Sequence, residues 1–259
     1  MTKTRIIVSG CMGKMSTAFR ELATQDNRYE VVSGIDTQSG ELNFPIYNYA
    51  DIASCDVTAD VLVDFSLKEN LTALLQYAKT RKIPLVLGTT GYAPEQLAAI
   101  AEAAHEVAIF QSANMSLGIG VLVNLLQRAA KVLYSNANFD IEIIEKHHNQ
   151  KIDAPSGTAL LLADGINSAL DGQLTYKYDR SDAFQKRDRA ELGIHALRGG
   201  TIVGQHEVVF AGKDEMLSFT HEAHSRGIFA AGALQAVAFV VGKPHGLYNM
   251  QDLINAVTD

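Results

Sequence analysis

The first 110 residues alternate between short apolar runs and helical patterns, and this alternation constrains the fold more than any other feature of the chain. The apolar runs are typical of buried strands and lie at residues 4–8, 29–35, 61–65, 85–87 and 107–110. Between the first two runs, Met15, Phe19, Leu22 and Ala23 share one face of a helix, and residues 69–80 and 94–104 show the same spacing. This order predicts an α/β fold with a parallel sheet and helices on both faces.

The second half of the chain has a different pattern. Strands are predicted at residues 139–145, 193–197, 202–210 and 216–220, with one helix at 157–170, and this combination indicates a mixed or antiparallel sheet. The polar segment 176–188 is predicted to be a mobile loop. Two further helices are predicted at 228–241 and 250–257, and from the pattern alone they could pack on either half.

Charge and composition exclude several classes of protein. The net charge of −7 provides no basic field for a nucleic acid, so we expect no nucleic-acid partner. The longest apolar run, residues 228–241, is 14 residues long, whereas a membrane span needs roughly 20, so no membrane association is expected. The two cysteines form no disulfide framework and the first ten residues lack a signal-like apolar run, which favours a cytoplasmic location.

A glycine-containing loop follows the first predicted strand and precedes the first helix. Its residues are Gly10, Cys11, Met12, Gly13, Lys14 and Met15, with Ser16 at the position of a third glycine. Such loops bring the backbone N–H groups of a helix start close to a pyrophosphate. Asp36 ends the second strand 20 residues after Ser16, where a carboxylate can accept the hydroxyls of an adenosine ribose. These features favour a dinucleotide site over an ordinary turn beside a solvated aspartate.

Two other turns follow predicted strands at the same edge of the sheet. One contains Gly88, Thr89 and Thr90, and the other contains Ser112, Ala113, Asn114 and Met115. Their small and hydroxyl side chains would allow a flat ring to approach the backbone. An ordinary glycine-rich turn explains each of them equally well.

The most informative segment is EKHHNQKIDAPSGTA, residues 145–159. Two imidazoles, His147 and His148, lie close to Lys151, and a helix is predicted to begin near Ser156. The N–H groups of Gly157 and Thr158 at that helix start suit a carboxylate or a phosphate. A solvated strand end is the alternative, and Arg198 is a weaker candidate for contact with an anion.

Metal and nucleophile chemistry fit this segment less well. Adjacent histidines on a strand point to opposite faces, so a zinc site is not expected. Ser156 lacks the G-x-S-x-G context of a nucleophile. The other histidines, among them His195, His206 and His221, are interpreted as structural or solvated.

The segment E-x-H-H-x-x-K-x-D-A-P-S-G-T-A closely resembles the signature of the dihydrodipicolinate reductase family, whose members are now called 4-hydroxy-tetrahydrodipicolinate reductases. The G-x-x-G-x-M, GTTG and S-A-N-x-S segments follow in the order typical of that family, so the resemblance covers nearly the whole chain. It implies reduction of a small dicarboxylate, 4-hydroxy-tetrahydrodipicolinate, to tetrahydrodipicolinate by NADH or NADPH, without a metal, in diaminopimelate and lysine biosynthesis.

The resemblance also implies a role for individual residues. His147 corresponds to the acid/base, Lys151 to the proton donor, and His148, Gly157 and Thr158 to contacts of the substrate carboxylates. The implied cofactor contacts are Gly10, Cys11, Met12, Gly13, Lys14, Met15, Asp36, Gly88, Thr89, Thr90, Ser112, Ala113, Asn114 and Met115. Three positions depart from the family pattern: Ser16 replaces the usual glycine, Met115 replaces a phenylalanine and would form a softer wall for the nicotinamide, and Gly120 lies where asparagine is common.

The implied architecture is a Rossmann-like dinucleotide domain of residues 1–116 and 228–259, with an α+β domain of residues 117–227 that binds substrate and builds a homotetramer. Another NAD(P)-dependent oxidoreductase of a small dicarboxylate and a non-catalytic dinucleotide-sensing module are the alternatives. A sensor would be expected to lack Lys151 or the histidines, which this chain retains. Asp36 is followed by the uncharged Thr37, which predicts that NADH is used at least as well as NADPH.

Overall fold

The computed structural model describes residues 2–181 and 184–258. In chain order its elements are β1 (Thr4–Ser9), α1 (Lys14–Gln25), β2 (Tyr29–Ile35), β3 (Ile46–Tyr47), β4 (Val61–Asp64), α2 (Leu71–Arg81), β5 (Leu85–Leu87), α3 (Pro94–Ala103), β6 (Ala108–Gln111), α4 (Leu117–Ala137), β7 (Asp140–His147), α5 (Gly157–Ala169), β8 (Thr175–Lys177), β9 (Glu191–Arg198), β10 (Gly204–Ala211), β11 (Met216–Ala223), α6 (Gly227–Val240), β12 (Gly246–Tyr248) and α7 (Met250–Thr258). Short 3₁₀ turns lie at Tyr49–Ser54 and Lys68–Asn70. The chain divides into two compact units, one formed by residues up to Leu117 and from Arg226 onwards, the other by Gly118–Ser225.

The first unit contains a seven-stranded sheet in the order β12-β6-β5-β4-β1-β2-β3. All of its strand pairs are parallel, which confirms the α/β prediction. Helices α1 and α6 contribute to the core on one face of the sheet, and α2 and α3 contribute to the core on the other. The central strands are buried on both faces, which explains their continuous apolar runs.

The C-terminal segment belongs to this first unit. Ala233, Val237 and Leu253 of α6 and α7 are buried in the same core as Val8 and Phe19. Between the two helices, β12 pairs in parallel with β6 at the edge of the sheet, a strand that the sequence pattern did not indicate. The packing therefore decides which half of the chain the last helices join.

The second unit contains a five-stranded sheet in the order β11-β10-β7-β9-β8. The strands β11, β10 and β7 pair antiparallel, whereas β7, β9 and β8 pair parallel, so the sheet is mixed as predicted. One face, which includes Ile141 and Ile143, packs into a core with α4 and α5. The opposite face includes Glu142 and Ile144 and is only partly buried.

The sequence pattern did not identify helix α4. It spans 21 residues, and among the described residues it is the one helix long and apolar enough to cross a membrane by length and composition. Asn124 and Arg128 interrupt its apolar run, so the sequence pattern shows no continuous apolar stretch there. Ile119, Leu126 and Ala130 on its inner face are buried in the core of the second unit.

The segment predicted to be a mobile loop is anchored at both ends. Residues Thr175–Lys177 form strand β8. At the other end, the Arg187 guanidinium donates to Glu142 and Asp140, at 2.8 Å each, and to the carbonyl of Ile141 at 3.1 Å. Residues 182 and 183 of this segment lie outside the described residues.

Candidate active site

The glycine loop of the first unit connects β1 to α1 and requires glycine at its first position. Gly10 has a φ of +69°, and a Cβ there would lie 2.9 Å from the carbonyl oxygen of Phe65. Its N–H donates to the carbonyl of Ile35 at 2.8 Å, and Gly13 is the residue immediately before α1. The loop thus leads directly into the N-terminus of a helix, the arrangement that favours a phosphate group.

Asp36 is already engaged with this loop. One carboxylate oxygen accepts the N–H of Met12 at 2.9 Å, and the other accepts the N–H of Gln38 at 3.1 Å. Because an ionised carboxylate can accept about four hydrogen bonds, these contacts leave capacity for ribose hydroxyls. The side chain therefore connects the glycine loop to the end of β2.

A pocket of about 410 Å³ lies at the carboxyl ends of the parallel strands. Met15, Gly88, Thr89 and Thr90, all predicted cofactor contacts, line it. The other lining residues were not among the predicted cofactor contacts; they are Phe65, Ser66, Leu67, Lys68, Glu69 and Gly91. Residues 65–69 follow β4 and Gly91 follows β5, so all of them lie beyond the carboxyl ends of parallel strands, where ligands bind in such sheets.

The remaining turn, from Ser112 to Met115, is held by its own hydrogen bonds. The Ser112 hydroxyl donates to the carbonyl of Asn114 at 2.7 Å, and the Asn114 side-chain oxygen accepts the N–H of Ser116 at 2.8 Å. The Met115 side chain is only 4% exposed and packs into the core, as does Cys11 at 0%. These two side chains therefore contribute to the core of the first unit, and their contact with a cofactor stays a prediction.

Ser16, the departure from the usual glycine, lies in the first turn of α1. It is fully buried, and its hydroxyl has no hydrogen-bond partner among the described residues. The helix thus accommodates the extra atoms sterically but leaves a buried polar group unpaired.

In the second unit, the end of β7 carries the residues of the signature segment. Alternation along the strand places Glu145 and His147 on the buried face, while Lys146 and His148 are more exposed. The Glu145 carboxylate is completely buried; it lies 2.6 Å from His147 Nδ1 and accepts the N–H of Ser156 at 3.0 Å.

Arg198 completes this arrangement from the neighbouring strand. It lies opposite His147 in the register of β7 and β9. Its guanidinium binds both oxygens of Glu145, at 2.8 and 2.7 Å, and donates to the carbonyl of Asp153 at 2.5 Å. The residue that the sequence suggested as an anion contact is thus the partner of a buried carboxylate.

His206 joins the same cluster from β10, although it was interpreted as a structural or solvated histidine. Its Nε2 lies 2.9 Å from the Ser156 hydroxyl, and its ring lies edge-on to that of His147 at 5.1 Å between centroids. Ser156 caps α5 by accepting the N–H of Ala159 at 3.1 Å. His206 reaches this position through the register between β10 and β7, which cannot be read from the sequence.

The predicted substrate residues surround the cluster. The Lys151 ammonium pairs with Asp153 at 2.7 Å, with 22% of the Lys151 side chain exposed. Gly157 and Thr158 form the first turn of α5, and His148 is half-buried. His147, Lys151 and the start of α5 thus lie together in one region of the second unit, as predicted from the signature segment. Glu145 and His206, which were not among the predicted site residues, also belong to this region, as does Arg198, the weaker candidate for contact with an anion.

Burial and charge set the protonation of this cluster. Burial lowers the pKa of His147, and the cations Lys151 and Arg198 lower it further, which together outweigh the opposing effect of Glu145. Burial, and then the charge of His147, lowers the pKa of His206 to about 4. Although burial opposes ionisation of Glu145, the hydrogen bonds from Arg198 and His147 hold the pKa of its carboxyl below the usual value. At neutral pH the cluster therefore holds an ionised Glu–Arg pair and two neutral imidazoles.

Among the described residues, no group of three or more histidine, cysteine or acidic side chains is arranged to hold a metal ion.

The sequence of the chain matches two models of one protein family. Residues 4–115 match the family described as "Dihydrodipicolinate reductase, N-terminus", and residues 118–254 match "Dihydrodipicolinate reductase, C-terminus". The chain belongs to the dihydrodipicolinate reductase family. The two matches together span nearly the whole chain, as the signature segment implied.

Two relatives in this family are nearly half identical to the chain. The 4-hydroxy-tetrahydrodipicolinate reductase of Caldanaerobacter subterraneus subsp. tengcongensis is 49% identical over 96% of this chain and 98% of its own length. The protein of the same name from Clostridium tetani is also 49% identical, over 97% of each chain.

A solved structure supports the fold. The dipicolinate-bound dihydrodipicolinate reductase from Paenisporosarcina sp. TG-14 superposes with a TM-score of 0.79 over 96% of this chain and 98% of its own, at 21% identity. GenD2 from gentamicin A biosynthesis, solved in complex with NAD, gives a TM-score of 0.60 at 12% identity over 100% of this chain and 92% of its own.

Proposed function

We propose that this chain reduces 4-hydroxy-tetrahydrodipicolinate to tetrahydrodipicolinate with NADH or NADPH, in diaminopimelate and lysine biosynthesis. One arrangement supports this function above all others. His147, Lys151 and the first turn of α5 lie together in a chain that is 49% identical, over nearly its full length, to a curated reductase of that name. The reaction adds one hydride and one proton to the substrate, and its 4-hydroxyl leaves as water.

The substrate is a dicarboxylate, and the second unit offers groups that match it. Lys151 supplies a positive charge, His148 supplies a hydrogen-bonding imidazole, and Gly157 and Thr158 lie where the dipole of α5 is positive. We assign the two carboxylates to these groups. The fixed ion pair between Glu145 and Arg198 leaves Lys151 as the cation that can exchange its partner, Asp153, for the substrate.

The first unit suits a nicotinamide dinucleotide. Gly10 lies so close to Phe65 that no side chain fits there, the glycine loop leads into α1, and a pocket of about 410 Å³ adjoins Met15 and the GTTG turn. In this assignment Gly10–Met15 hold the pyrophosphate, Asp36 holds the ribose of the adenosine, and Gly88–Thr90 with Ser112–Asn114 hold the nicotinamide end. When bound, this cofactor supplies the hydride.

Proton transfer is assigned to the second unit. Electron density builds on the carbon next to the one that receives the hydride, and the ammonium of Lys151 protonates it. The low pKa of His147 keeps its imidazole neutral, so that it can accept and return a proton as the acid/base. Positive charge that faces the developing negative charge lowers the barrier.

The cofactor preference follows from Asp36. A 2′-phosphate next to its carboxylate would be repelled, and Thr37 supplies no compensating charge. Lys14, at the start of α1, is the nearby cation that could offset part of the repulsion. We infer that NADH is used at least as well as NADPH.

The assembly is assigned to the outer face of the second sheet. Leu197 and Met216 on this face are 47% and 69% exposed, and Ile144 and Val209 lie beside them on the same side of the strands. A homotetramer that covers this face would bury these side chains. The substrate and assembly roles then belong to the second unit, the dinucleotide role belongs to the first, and the location is the cytoplasm.

The function is tested by cofactor oxidation. Substrate made in situ from pyruvate and aspartate semialdehyde should cause oxidation of NADH that depends on this chain, with tetrahydrodipicolinate formed in equal amount. A chain that binds NADH but never oxidises it would be a dinucleotide-sensing module. Oxidation with another dicarboxylate alone would indicate a different reductase.

A further inference from the structure

The carboxylate of Glu145 is hydrogen-bonded at both of its oxygens, yet no step of the proposed reaction uses it. It is 0% exposed. One oxygen lies 2.6 Å from His147 Nδ1 and 2.8 Å from Arg198, and the other lies 2.7 Å from Arg198. The second oxygen also accepts the N–H of Ser156 at 3.0 Å.

These contacts dictate where the hydrogen of the His147 ring lies. An ionised carboxylate is an acceptor only, so His147 Nδ1 must carry a hydrogen to make the 2.6 Å contact. In the neutral ring the lone pair is then on Nε2. That nitrogen points towards Gly204, where an added Cβ would lie only 3.1 Å from it.

We propose that Glu145 is a positioning residue, which holds His147 in the Nδ1–H tautomer with Nε2 free to accept a proton during reduction. The proposal rests on the acid/base role of His147 in the proposed function. The same division of labour, in which a buried carboxylate fixes an imidazole without itself changing protonation, operates in serine hydrolases.

Arg198 makes this arrangement possible. A lone buried carboxylate would be strongly disfavoured, but the two-point contact with the guanidinium neutralises it. The N–H of Ser156 then ties the same carboxylate to the start of α5. Glu145 thus fixes His147 relative to the helix turn that holds Gly157 and Thr158.

Charged or titratable groups face His147 from each surrounding element. They are Glu145 on its own strand, Arg198 from β9, Lys151 from the following loop and the imidazole of His206 from β10. Glu145 alone among these is negative. Without its charge, nothing would oppose the cations Lys151 and Arg198, and protonation of the His147 ring would become harder.

The test compares Glu145→Gln with Glu142→Gln. Glu142 is a close match, because it lies on the same strand and also contacts one arginine, Arg187, and one histidine, His195, but on the opposite face. Glu145→Gln should lower kcat about 10²-fold and leave KM for NADH within about twofold. In a plot of kcat against pH, the acid limb, where activity falls as the pH decreases, should shift about one pH unit lower. Glu142→Gln, at an unchanged assembly state, should leave kcat and the limb unchanged.

A second variant separates positioning from general structure. In a His147→Gln background, Glu145→Gln should cost little further activity, since a residue that acts through His147 has no effect without it. The proposal would be overturned if the fold losses in kcat of the two single variants multiplied in the double variant. It would also be overturned if the acid limb of the Glu145→Gln profile lay at the same pH as in the wild type. Glu145→Asp keeps the charge, so it should retain the wild-type limb at intermediate kcat, and it replaces Glu145→Gln if that variant fails to fold.

A measurement without turnover distinguishes this proposal from the proposed function. Long-range ¹H–¹⁵N spectra, with His147 identified by its loss in His147→Gln, should show hydrogen on Nδ1 in the wild type and on Nε2 in part in Glu145→Gln. The same ring state in both would overturn the positioning role, even in a fully active enzyme. Absence of reductase activity with the expected spectra would overturn the proposed function instead.

Discussion

The Asp36 carboxylate holds the N–H of Met12, and it is the group that we assign to the ribose of the adenosine. Replacing it with asparagine keeps an oxygen for the Met12 N–H but removes the charge. Asp36→Asn should raise the ratio of kcat/KM for NADPH to that for NADH by about tenfold, equivalent to about 1.4 kcal/mol of relieved repulsion. The measurement is kcat/KM for both cofactors in the wild type and the variant.

Asp56→Asn is the control for this comparison, since it changes the same chemistry on an exposed residue of the first unit. Its cofactor ratio should equal that of the wild type. A strong wild-type preference for NADPH, or an unchanged ratio in Asp36→Asn, would show that Asp36 does not discriminate at the 2′ position.

Ser16 provides a stability test at the scale of one atom. Its buried hydroxyl lacks a partner among the described residues, and such groups cost about 1 kcal/mol or more. Ser16→Ala should therefore stabilise the protein by about 1 kcal/mol and raise Tm by about 2–4 °C in thermal unfolding. The matched change at exposed Ser135 of α4 should bring only the smaller gain from helix propensity. Equal effects at the two sites would refute the account of Ser16.

At this scale the sequence identified the groups that are contiguous along the chain. His147, Lys151, Gly157 and Thr158 all lie within one segment of 12 residues, so a local pattern was sufficient to predict them as site residues. Glu145 lies two residues before His147 on a strand, so the alternation of side chains already implied a shared face. His206 is opposite Glu145 only through the register of β10 and β7, which no local pattern contains.

At the scale of elements, the cap of α5 contacts a histidine, His206, that stays neutral when the protein is folded. Ser156 caps the helix, and its hydroxyl contacts neutral His206, whose pKa is lowered by burial to about 4. The unfolded chain takes up a proton near pH 6.5, whereas the folded chain does so only near pH 4. Stability is therefore lost as the pH falls through this window, by up to about 3 kcal/mol.

His206→Gln should reduce this acid sensitivity, because the amide retains a hydrogen-bonding group for Ser156 but does not titrate. The difference in unfolding free energy between pH 7.5 and pH 5, measured by urea denaturation, should be smaller than in the wild type. His224→Gln, at an exposed position, should leave the wild-type difference intact. If both variants showed the same difference in unfolding free energy between pH 7.5 and pH 5 as the wild type, His206 would not be the source of the acid sensitivity.

Elements with a strong local period were predicted well, and those defined by tertiary packing were not. The strand at 61–65 and the helix at 94–104 differ from β4 and α3 by one residue at their ends. Strand β12 has three residues and is defined by its parallel pairing with β6 at the edge of the sheet. Helix α4 was missed because polar residues interrupt its apolar run, although its inner face is regular.

At the scale of the whole molecule, the outer face of the second sheet predicts self-association. Light scattering should give four times the chain mass of 28.0 kDa. Met216→Glu would replace an exposed apolar side chain of this face with a charge and should shift the mass towards smaller species. Leu97→Glu, at an exposed leucine of α3 in the first unit, should leave the tetramer intact. A monomeric wild type would refute the assignment.

The proposed function divides the molecule by role: substrate chemistry belongs to the second unit and dinucleotide binding to the first. Lys151→Ala tests it most directly, with exposed Lys213 of the same unit changed to alanine as the control. Lys151→Ala should lower kcat about 10²–10⁴-fold while the Kd for NADH stays within about twofold, and Lys213→Ala should change neither. Near-wild-type turnover in Lys151→Ala, or loss of NADH binding with turnover preserved, would contradict it.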